Sequence, residues 1–200
     1  VVADAGRVIA GSARGVRLAA PGAGTRPLAD RVKQAVFGSL EPALLEAAVL
    51  DLCAGSGGAA IEALSRGASR AVLVERDAGT CRVIGENLRR AGVADRARVV
   101  RADALAYLRG PAEADGPFDV VILDPPYAEV ELREGCLREL GARDGPLGPG
   151  ALVVATGFGK LPPPTTAGLL RSTRERRFGE TLVVFYRRAA PEDVPPPSGA

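Results

Sequence analysis

An α/β fold built on an open, doubly wound, mostly parallel sheet is what the sequence predicts, and three observations predict it. Strand-like apolar runs alternate with helix-length amphipathic segments from Ala48 to Leu140. The first of these strands ends in a glycine-rich turn, Ala54–Gly58, that opens a helix. The last three strand-like runs follow one another with no room for crossover helices, so the sheet must finish antiparallel.

Before the alternation begins, Arg7–Ala20 reads as an arginine-rich hairpin, with Val8–Ile9 and Val16–Leu18 as short strands around a Gly11–Gly15 turn. A helix is expected from Ala29 or Asp30, after Pro27, carrying Val32, Val36, Phe37 and Leu40 on one face until Pro42 interrupts it. Ala48–Leu52 is a buried strand, Ala59–Arg66 a helix stopped by Gly67, Arg70–Glu75 a strand, and Ala78–Ala91 a helix stopped by Gly92. Ala97–Arg101 is the next strand, Ala104–Leu108 a short helix, and Phe118–Leu123 the apolar run of a strand covered on both faces. After a helix around Val130–Leu140 come strands at Ala151–Ala155, Leu169–Arg174 and Thr181–Tyr186, which makes the sheet seven-stranded with an antiparallel C-terminal hairpin. Three regions follow: an N-terminal basic hairpin and helix extension at 1–40, the sheet domain at 41–188, and a disordered Pro-rich tail at 189–200.

Composition bounds the chemistry. The 200 residues are 46% hydrophobic and 25% charged, with a formal net charge of +2, which fits one globular domain with a real core. With no His, the chain has no imidazole base, no Ser-His-Asp triad and no His-based zinc site. Cys53, Cys81 and Cys136 show no CxxC spacing and read as small buried hydrophobes in a reducing cytoplasm. No run approaches the ~20 apolar residues of a membrane span, and no signal-peptide pattern opens the chain. The absence of Met, a start residue included, suggests that the sequence begins inside the translated one.

The small net charge conceals a strong partition. Residues 1–40 carry Arg7, Arg14, Arg17, Arg26, Arg31 and Lys33 against Asp4 and Asp30, and residues 171–188 carry Arg171, Arg174, Arg176, Arg177, Arg187 and Arg188 against Glu175 and Glu180. Each flank is +4 and the remainder −6. That distribution suggests a side facing a polyanion, with a solvated charged surface as the other reading. The dominance of Arg over Lys fits coding bias as well as phosphate contact.

Two motifs carry chemistry. Asp51-Leu52-Cys53-Ala54-Gly55-Ser56-Gly57 is a strand end entering a glycine turn, where the backbone must bend sharply and let a ligand approach without a Cβ in the way. Gly55, Gly57 and Ala60 satisfy G-x-G-x-x-[GA], and Glu75 stands at the end of the next strand, where a carboxylate can accept both hydroxyls of an adenosine ribose. The second motif, Asp124-Pro125-Pro126-Tyr127, follows the strand Phe118–Leu123 directly. Two prolines stiffen the backbone and remove two N–H donors, leaving carbonyls and a carboxylate as a fixed set of acceptors suited to an amine.

Asp124-Pro125-Pro126-Tyr127 resembles motif IV of S-adenosylmethionine-dependent methyltransferases that act on exocyclic amino groups of nucleobases, and the glycine turn resembles their motif I. More specifically, Thr25-Arg26-Pro27, Asp30-Arg31-Val32, Phe37, Ala54–Gly57, Glu62–Ala68 and Phe178-Gly179-Glu180-Thr181, in that order, resemble the bacterial 16S ribosomal RNA (guanine(966)-N2) methyltransferase family of the RsmD type. The similarity runs from about Arg7 to Arg187. Departures include Cys53 for an aromatic residue, Leu28 for Thr, Lys33-Gln34 for Arg-Glu, and Gly58-Ala59-Ala60-Ile61 for a Leu-rich helix start.

The resemblance implies a Rossmann-like class I methyltransferase with an N-terminal β-hairpin extension. S-adenosylmethionine would be the cofactor and S-adenosylhomocysteine the product, with no metal. Asp51, Ala54, Gly55, Ser56 and Gly57 would line the methionine end of the cofactor, Glu75 its ribose, and Asp103 with the Ala104 backbone its adenine, with Arg76 also among the cofactor-binding residues. Asp124, Pro125, Pro126 and Tyr127 would be catalytic: the Asp124 carboxylate and Pro125 carbonyl accept hydrogen bonds from the guanine amine, and Tyr127 stacks on the extruded base. Arg14, Arg17, Arg26 and Arg31 are the candidate RNA-phosphate contacts. The implied partner is 16S rRNA, free or in a 30S assembly intermediate, met in the cytoplasm by a monomer with no membrane association. Alternatives left open are an adenine-N6 or cytosine-N4 methyltransferase of DNA or RNA, a nicotinamide-dependent oxidoreductase using the glycine turn and Glu75, and a non-catalytic RNA-binding module.

Overall fold

In the computed structural model, which describes residues 4–22, 30–110 and 115–190, the parallel core of the sheet forms from the buried strand β3 (Ala48–Leu52) outward. On one side β3 pairs in parallel with β4 (Arg70–Glu75), and β4 with β5 (Ala97–Arg101). On the other it pairs in parallel with β6 (Phe118–Leu123), and β6 with β7 (Leu147–Phe158). Three antiparallel strands complete the sheet: β10 (Thr181–Arg188) beside β7, then β9 (Leu170–Phe178), then the two-residue edge strand β8 (Thr166–Ala167). The order is therefore β5-β4-β3-β6-β7-β10-β9-β8. The side on which successive strands are added changes between β3 and β6, and such a switch point leaves a crevice at the carboxyl ends of the strands.

Helices cover both faces because the strands alternate their apolar side chains. Val49, Leu73, Val120 and Ile122 face a layer made by α1 (Asp30–Leu40), α2 (Gly58–Ser65) and α3 (Ala78–Arg90). Leu50, Leu52, Val72 and Val121 face α4 (Ala104–Arg109) and α5 (Val130–Leu140). Val32, Val36, Phe37 and Leu40 of α1 are buried as their spacing predicts.

Four expectations need correction. The N-terminal hairpin exists, but its strands are β1 (Asp4–Arg7) and β2 (Arg17–Ala19), not Val8–Ile9 and Val16–Leu18. The reason is that the N–H groups of Ile9 and Ala10 donate to the Glu62 carboxylate and that of Ala13 to Ser65 Oγ, which draws this backbone onto α2. The sheet has eight strands rather than seven, and β7 and β9 run longer than expected. Gly148-Pro149-Gly150 sits inside β7 at an irregularity in its pairing with β6, and the charged run Arg174–Arg177 lies near the sheet's edge, where a strand needs little apolar content. Of the three cysteines only Cys136 is buried; Cys53 and Cys81 are half-buried. Within Phe118–Leu123, Asp119 is exposed and accepts the Ala48 N–H. The expected helix start around Pro27 and Ala29, the motif residues Thr25 and Arg26, and the tail 191–200 lie outside the described residues.

The N-terminal segment shares the core of the sheet domain. Ala5, Val8, Ala13 and Leu18 join the same apolar cluster as Ile61, Leu64 and Ile84. Buried Asn87 of α3 accepts the Ala19 N–H and donates to the carbonyls of Ala19 and Ser56, joining β2 to the glycine turn. Gly11 has φ +83°, and a Cβ there would stand 1.8 Å from the Ser65 carbonyl oxygen, so the close approach requires glycine. Glu62 is wholly buried and also accepts from Arg66 Nε at 2.7 Å. Glu62→Ala leaves two half-buried N–H donors and a buried guanidinium short of acceptors, so it should destabilise the fold by about 3 kcal/mol. Chemical denaturation measures that loss, and limited proteolysis should show cleavage appearing first within residues 4–22.

Candidate active site

The carboxyl ends of β3, β4, β5 and β6, with the β9–β10 turn above them, enclose a cleft of about 1190 Å³. Its inner wall is acidic. Asp51, Glu75, Asp103 and Asp124 all line it, so it suits a cationic ligand.

Asp51 is the first of these, at the end of β3 and only 2% exposed. Its Oδ2 accepts the Ala60 N–H at 3.0 Å, tying the strand to the first turn of α2. Burial pushes its pKa up to about 8; the Ala60 hydrogen bond opposes the rise, and the charges of Asp124 and Glu75 add to it. The turn that follows is tightly wound: Cys53, Gly55 and Gly57 all have positive φ. A Cβ on Gly57 would press on Ile84 and Leu73 at 3.2 Å, so the glycine serves both the left-handed backbone and the packing of the helix start. Burial drives the Cys53 thiol far above its usual range, which removes it as a nucleophile.

Glu75 closes the second strand. Its two oxygens accept the N–H groups of Gly55 at 3.1 Å and Asp77 at 3.0 Å, so one carboxylate holds the glycine turn and the loop after β4 in register. Each oxygen keeps a further lone-pair direction for a ligand hydroxyl. Asp103 caps α4, with Oδ1 accepting from Leu105 and Ala106, and Ala104 beside it lines the cleft. Arg76, expected among the cofactor-binding residues, lines the cleft and is joined to Glu129, which lines it too, at 2.8 Å.

Asp124 follows β6, its N–H directed at the Leu52 carbonyl of the neighbouring strand. Burial raises the pKa of its carboxyl, and the Thr156 hydroxyl, which donates to Oδ1, pulls it back. The Pro126 carbonyl accepts the Glu129 N–H at 2.9 Å and helps turn the chain into α5, whereas the Pro125 carbonyl has no such partner among the described residues. Tyr127 is 37% exposed, its ring centroid 6.1 Å from that of Phe158 at an interplanar angle of 30°, and its hydroxyl meets Thr181 Oγ1. The cleft therefore brings together Asp51, Ala54, Gly55, Ser56, Glu75, Arg76, Asp103, Ala104, Asp124, Pro125, Pro126 and Tyr127, while Gly57 shapes the turn from behind.

The arginines divide differently. Arg31 lines the cleft, Arg17 is paired with Asp4 at 2.5 Å, Arg14 is exposed in the loop after β1, and Arg26 lies outside the described residues. Thr156, Phe158, Thr181 and Glu129 were missed as site residues. A lone hydroxyl near the end of an apolar strand, next to the strand that ends in Asp124, was the available signal for Thr156.

The family model described as Conserved hypothetical protein 95 matches residues 6–187. Ribosomal RNA small subunit methyltransferase D of Escherichia coli (strain K12) is 35% identical over 188 residues, covering 92% of this chain and 90% of that protein. A solved hypothetical protein of Thermus thermophilus superposes with a TM-score of 0.76 at 32% identity, covering 90% of this chain and 97% of that one. An RNA methyltransferase of Salinibacter ruber, solved in complex with S-adenosyl-L-homocysteine, shares the fold with a TM-score of 0.62 at 20% identity, covering 87% of this chain and 99% of that one.

A carboxyl raised in the folded state binds its proton more tightly there than in the unfolded chain, so ionising it opposes folding. Between the ordinary Asp value of 3.8 and about 8, stability should therefore fall as pH rises. Denaturant titrations at pH 5 and pH 8 should show this fall, and it should be smaller in Asp51→Asn, whose side-chain oxygen still accepts from Ala60.

Proposed function

The chain belongs to the family described as Conserved hypothetical protein 95, together with ribosomal RNA small subunit methyltransferase D, and from that membership and the acceptor geometry we propose that it transfers a methyl group from S-adenosylmethionine to the exocyclic N2 of a guanine in 16S rRNA. Guanine 966 is the target that the family resemblance suggests. The observation that carries the reading is the pairing of two acceptors, the Asp124 carboxylate and the Pro125 carbonyl, at the end of β6 in a cleft whose remaining carboxylates favour a cation.

The residues present fit the cofactor. The cleft is large enough to take it with room for a base beside it, its charge matches the acidic wall, and the left-handed glycine turn lets it approach the backbone closely. Asp51 and the Ala54–Gly57 backbone would hold its methionine end, Glu75 the ribose hydroxyls, and the free oxygen of Asp103 with the Ala104 N–H the adenine edge. Arg76 acts at one remove, through its bridge to Glu129 at the cleft wall. When bound, S-adenosylmethionine would supply a methyl group from its positively charged sulfur, the C–S bond breaking to leave neutral S-adenosylhomocysteine. The proton that the methylated amine loses would pass to the Asp124 carboxylate and on to solvent.

The chain supplies alignment. The lone pair of an aromatic amine is delocalised into the ring, and two acceptors on its hydrogens draw the nitrogen toward a tetrahedral geometry with the lone pair aimed along the transfer path. Thr156 fixes one oxygen of Asp124, so the other is presented to the amine. Tyr127, itself held by Thr181 and backed by Phe158, offers a ring face for the extruded base. Positioning and fixed charge provide the acceleration. The enzyme is proposed to act as a cytoplasmic monomer on free rRNA or a 30S assembly intermediate, and no described helix is long and apolar enough to cross a membrane.

Asp124→Ala should retain cofactor affinity in calorimetry while methyl transfer to rRNA drops by roughly 10²-fold or more; transfer at the wild-type rate would sink the mechanism. Labelled-methyl incorporation into 16S rRNA, 30S particles and duplex DNA, followed by mass mapping of the product, separates guanine-N2 from adenine-N6 or cytosine-N4 transfer. Thr156→Val removes a hydrogen bond that favours the ionised carboxylate. The acid limb of its kcat/KM profile should therefore move to higher pH, and Thr156→Ser should restore it.

A further inference from the structure

The two basic flanks of the sequence are largely spent on the fold, and sorting their side chains isolates the ones that are not. At the N-terminal flank Arg7 pairs with Asp30, Arg17 with Asp4, and buried Lys33 donates to the Arg7 carbonyl. At the C-terminal flank Arg171 donates to Gly168 and Leu170, Arg187 to Gly150, and Arg188 to Leu147 and Arg143, all backbone carbonyls. Arg177 donates to the Gly159 carbonyl. Apart from exposed Arg14 in the loop after β1, that leaves Arg31, Arg174 and Arg176, which among the described residues neither pair with a carboxylate nor donate to a backbone carbonyl.

These three lie along one surface. Arg174 and Arg176 stand opposite Phe185 and Val183 of β10, so they share the sheet face on which α1 packs. Arg174 reaches Ser39 near the end of α1 at 3.4 Å, while Arg31 at the start of α1 and Phe178 at the end of β9 both line the cleft. Helix and strand thus run side by side in opposite directions, away from the cleft. From Phe178 back to Arg174 the strand covers about 13 Å, a few nucleotides of extended RNA.

We propose that the outer flank of α1 and strand β9 form a track for the single-stranded RNA beside the target base, with Arg31, Arg174 and Arg176 on its phosphates. Extruding a base costs least where its strand is already unpaired, and such a strand leaves its phosphates accessible on one side. The track rests on the RNA methyltransferase reading and adds the direction in which the substrate leaves the cleft.

The test is fluorescence anisotropy of a labelled 16S rRNA fragment across a salt series, with wild type, Arg174→Gln/Arg176→Gln, Arg174→Lys/Arg176→Lys, and Arg187→Gln as a control outside the track. The Gln pair should weaken binding at least tenfold, lower the slope of log K against log salt by about 1 to 2, and leave cofactor affinity unchanged. The Lys pair should keep most of the slope, and Arg187→Gln should match wild type. A Gln pair with wild-type affinity and slope overturns the track, as does an equal loss in Arg187→Gln. Failure of the wild type itself to bind or methylate rRNA would instead overturn the function on which the track rests.

Discussion

Burial of two carboxyl groups at the ends of adjacent strands is the constraint on which the rest of the molecule depends. Parallel pairing of β3 with β6 sets Leu52 opposite Leu123, so the chain leaves both strands at the same level and the acids at their ends face one crevice. The apolar strands beside them shield both carboxyls from water, which makes each charge costly when nothing compensates it. The structure supplies partial compensation, an N–H for Asp51 and a hydroxyl for Asp124, and stops there. The shortfall leaves Asp51 open to a positive ligand and Asp124 open to the hydrogens of an amine, so that what binds there would satisfy what the fold leaves unsatisfied.

That arrangement works only if the loops around it stay in place, and the same few side chains serve both fold and cleft. Glu75 clasps the glycine turn while facing the ligand space, and Asn87 joins that turn to β2. Glu62 and Ser65 fasten the loop between β1 and β2 onto α2, the helix that the glycine turn begins. The N-terminal hairpin is thus coupled to the cofactor end of the cleft through α2 and α3. A shift of the hairpin on meeting RNA would be felt at Ser56, whose carbonyl Asn87 holds.

Most of the fold was legible in the sequence because its signals are local. Strand and helix alternate at lengths that admit few architectures, and Gly67, Gly92 and Pro42 mark helix ends. The acids and glycines of the cleft were legible for the same reason, since each stands at the end of a strand readable from its own apolar run. Contacts between distant segments were not. Nothing near Ile9 shows that its N–H will be taken by Glu62, fifty-three residues away, so the strand was placed on the wrong side of Arg7. The bridge from Arg76 to Glu129 was equally hidden, because Glu129 lies beyond two further strands. Thr156 and Phe158 belong to β7, whose Gly and Pro residues suggested a shorter strand, and their importance comes from a neighbour, β6, that only the sheet order reveals.

Net charge shows most clearly what arithmetic on a sequence misses. A total of +2 describes an almost neutral protein, yet the molecule distributes its signs unevenly, with acids in the majority along the cleft wall and unpaired arginines on the outer face beside it. Potentials are set by that separation and not by the sum. Counting the flanks alone overstates the positive face, because an arginine that donates to a backbone carbonyl or pairs with a neighbouring Asp is largely committed before any partner arrives. Arg7, Arg17, Arg171, Arg187 and Arg188 are such residues, and their first contribution is to hold the hairpin and the outer strands. The attraction of a polyanion then falls to the smaller set whose guanidinium groups are taken by neither a carboxylate nor a backbone carbonyl, and the place of that set beside the cleft carries more information than its size.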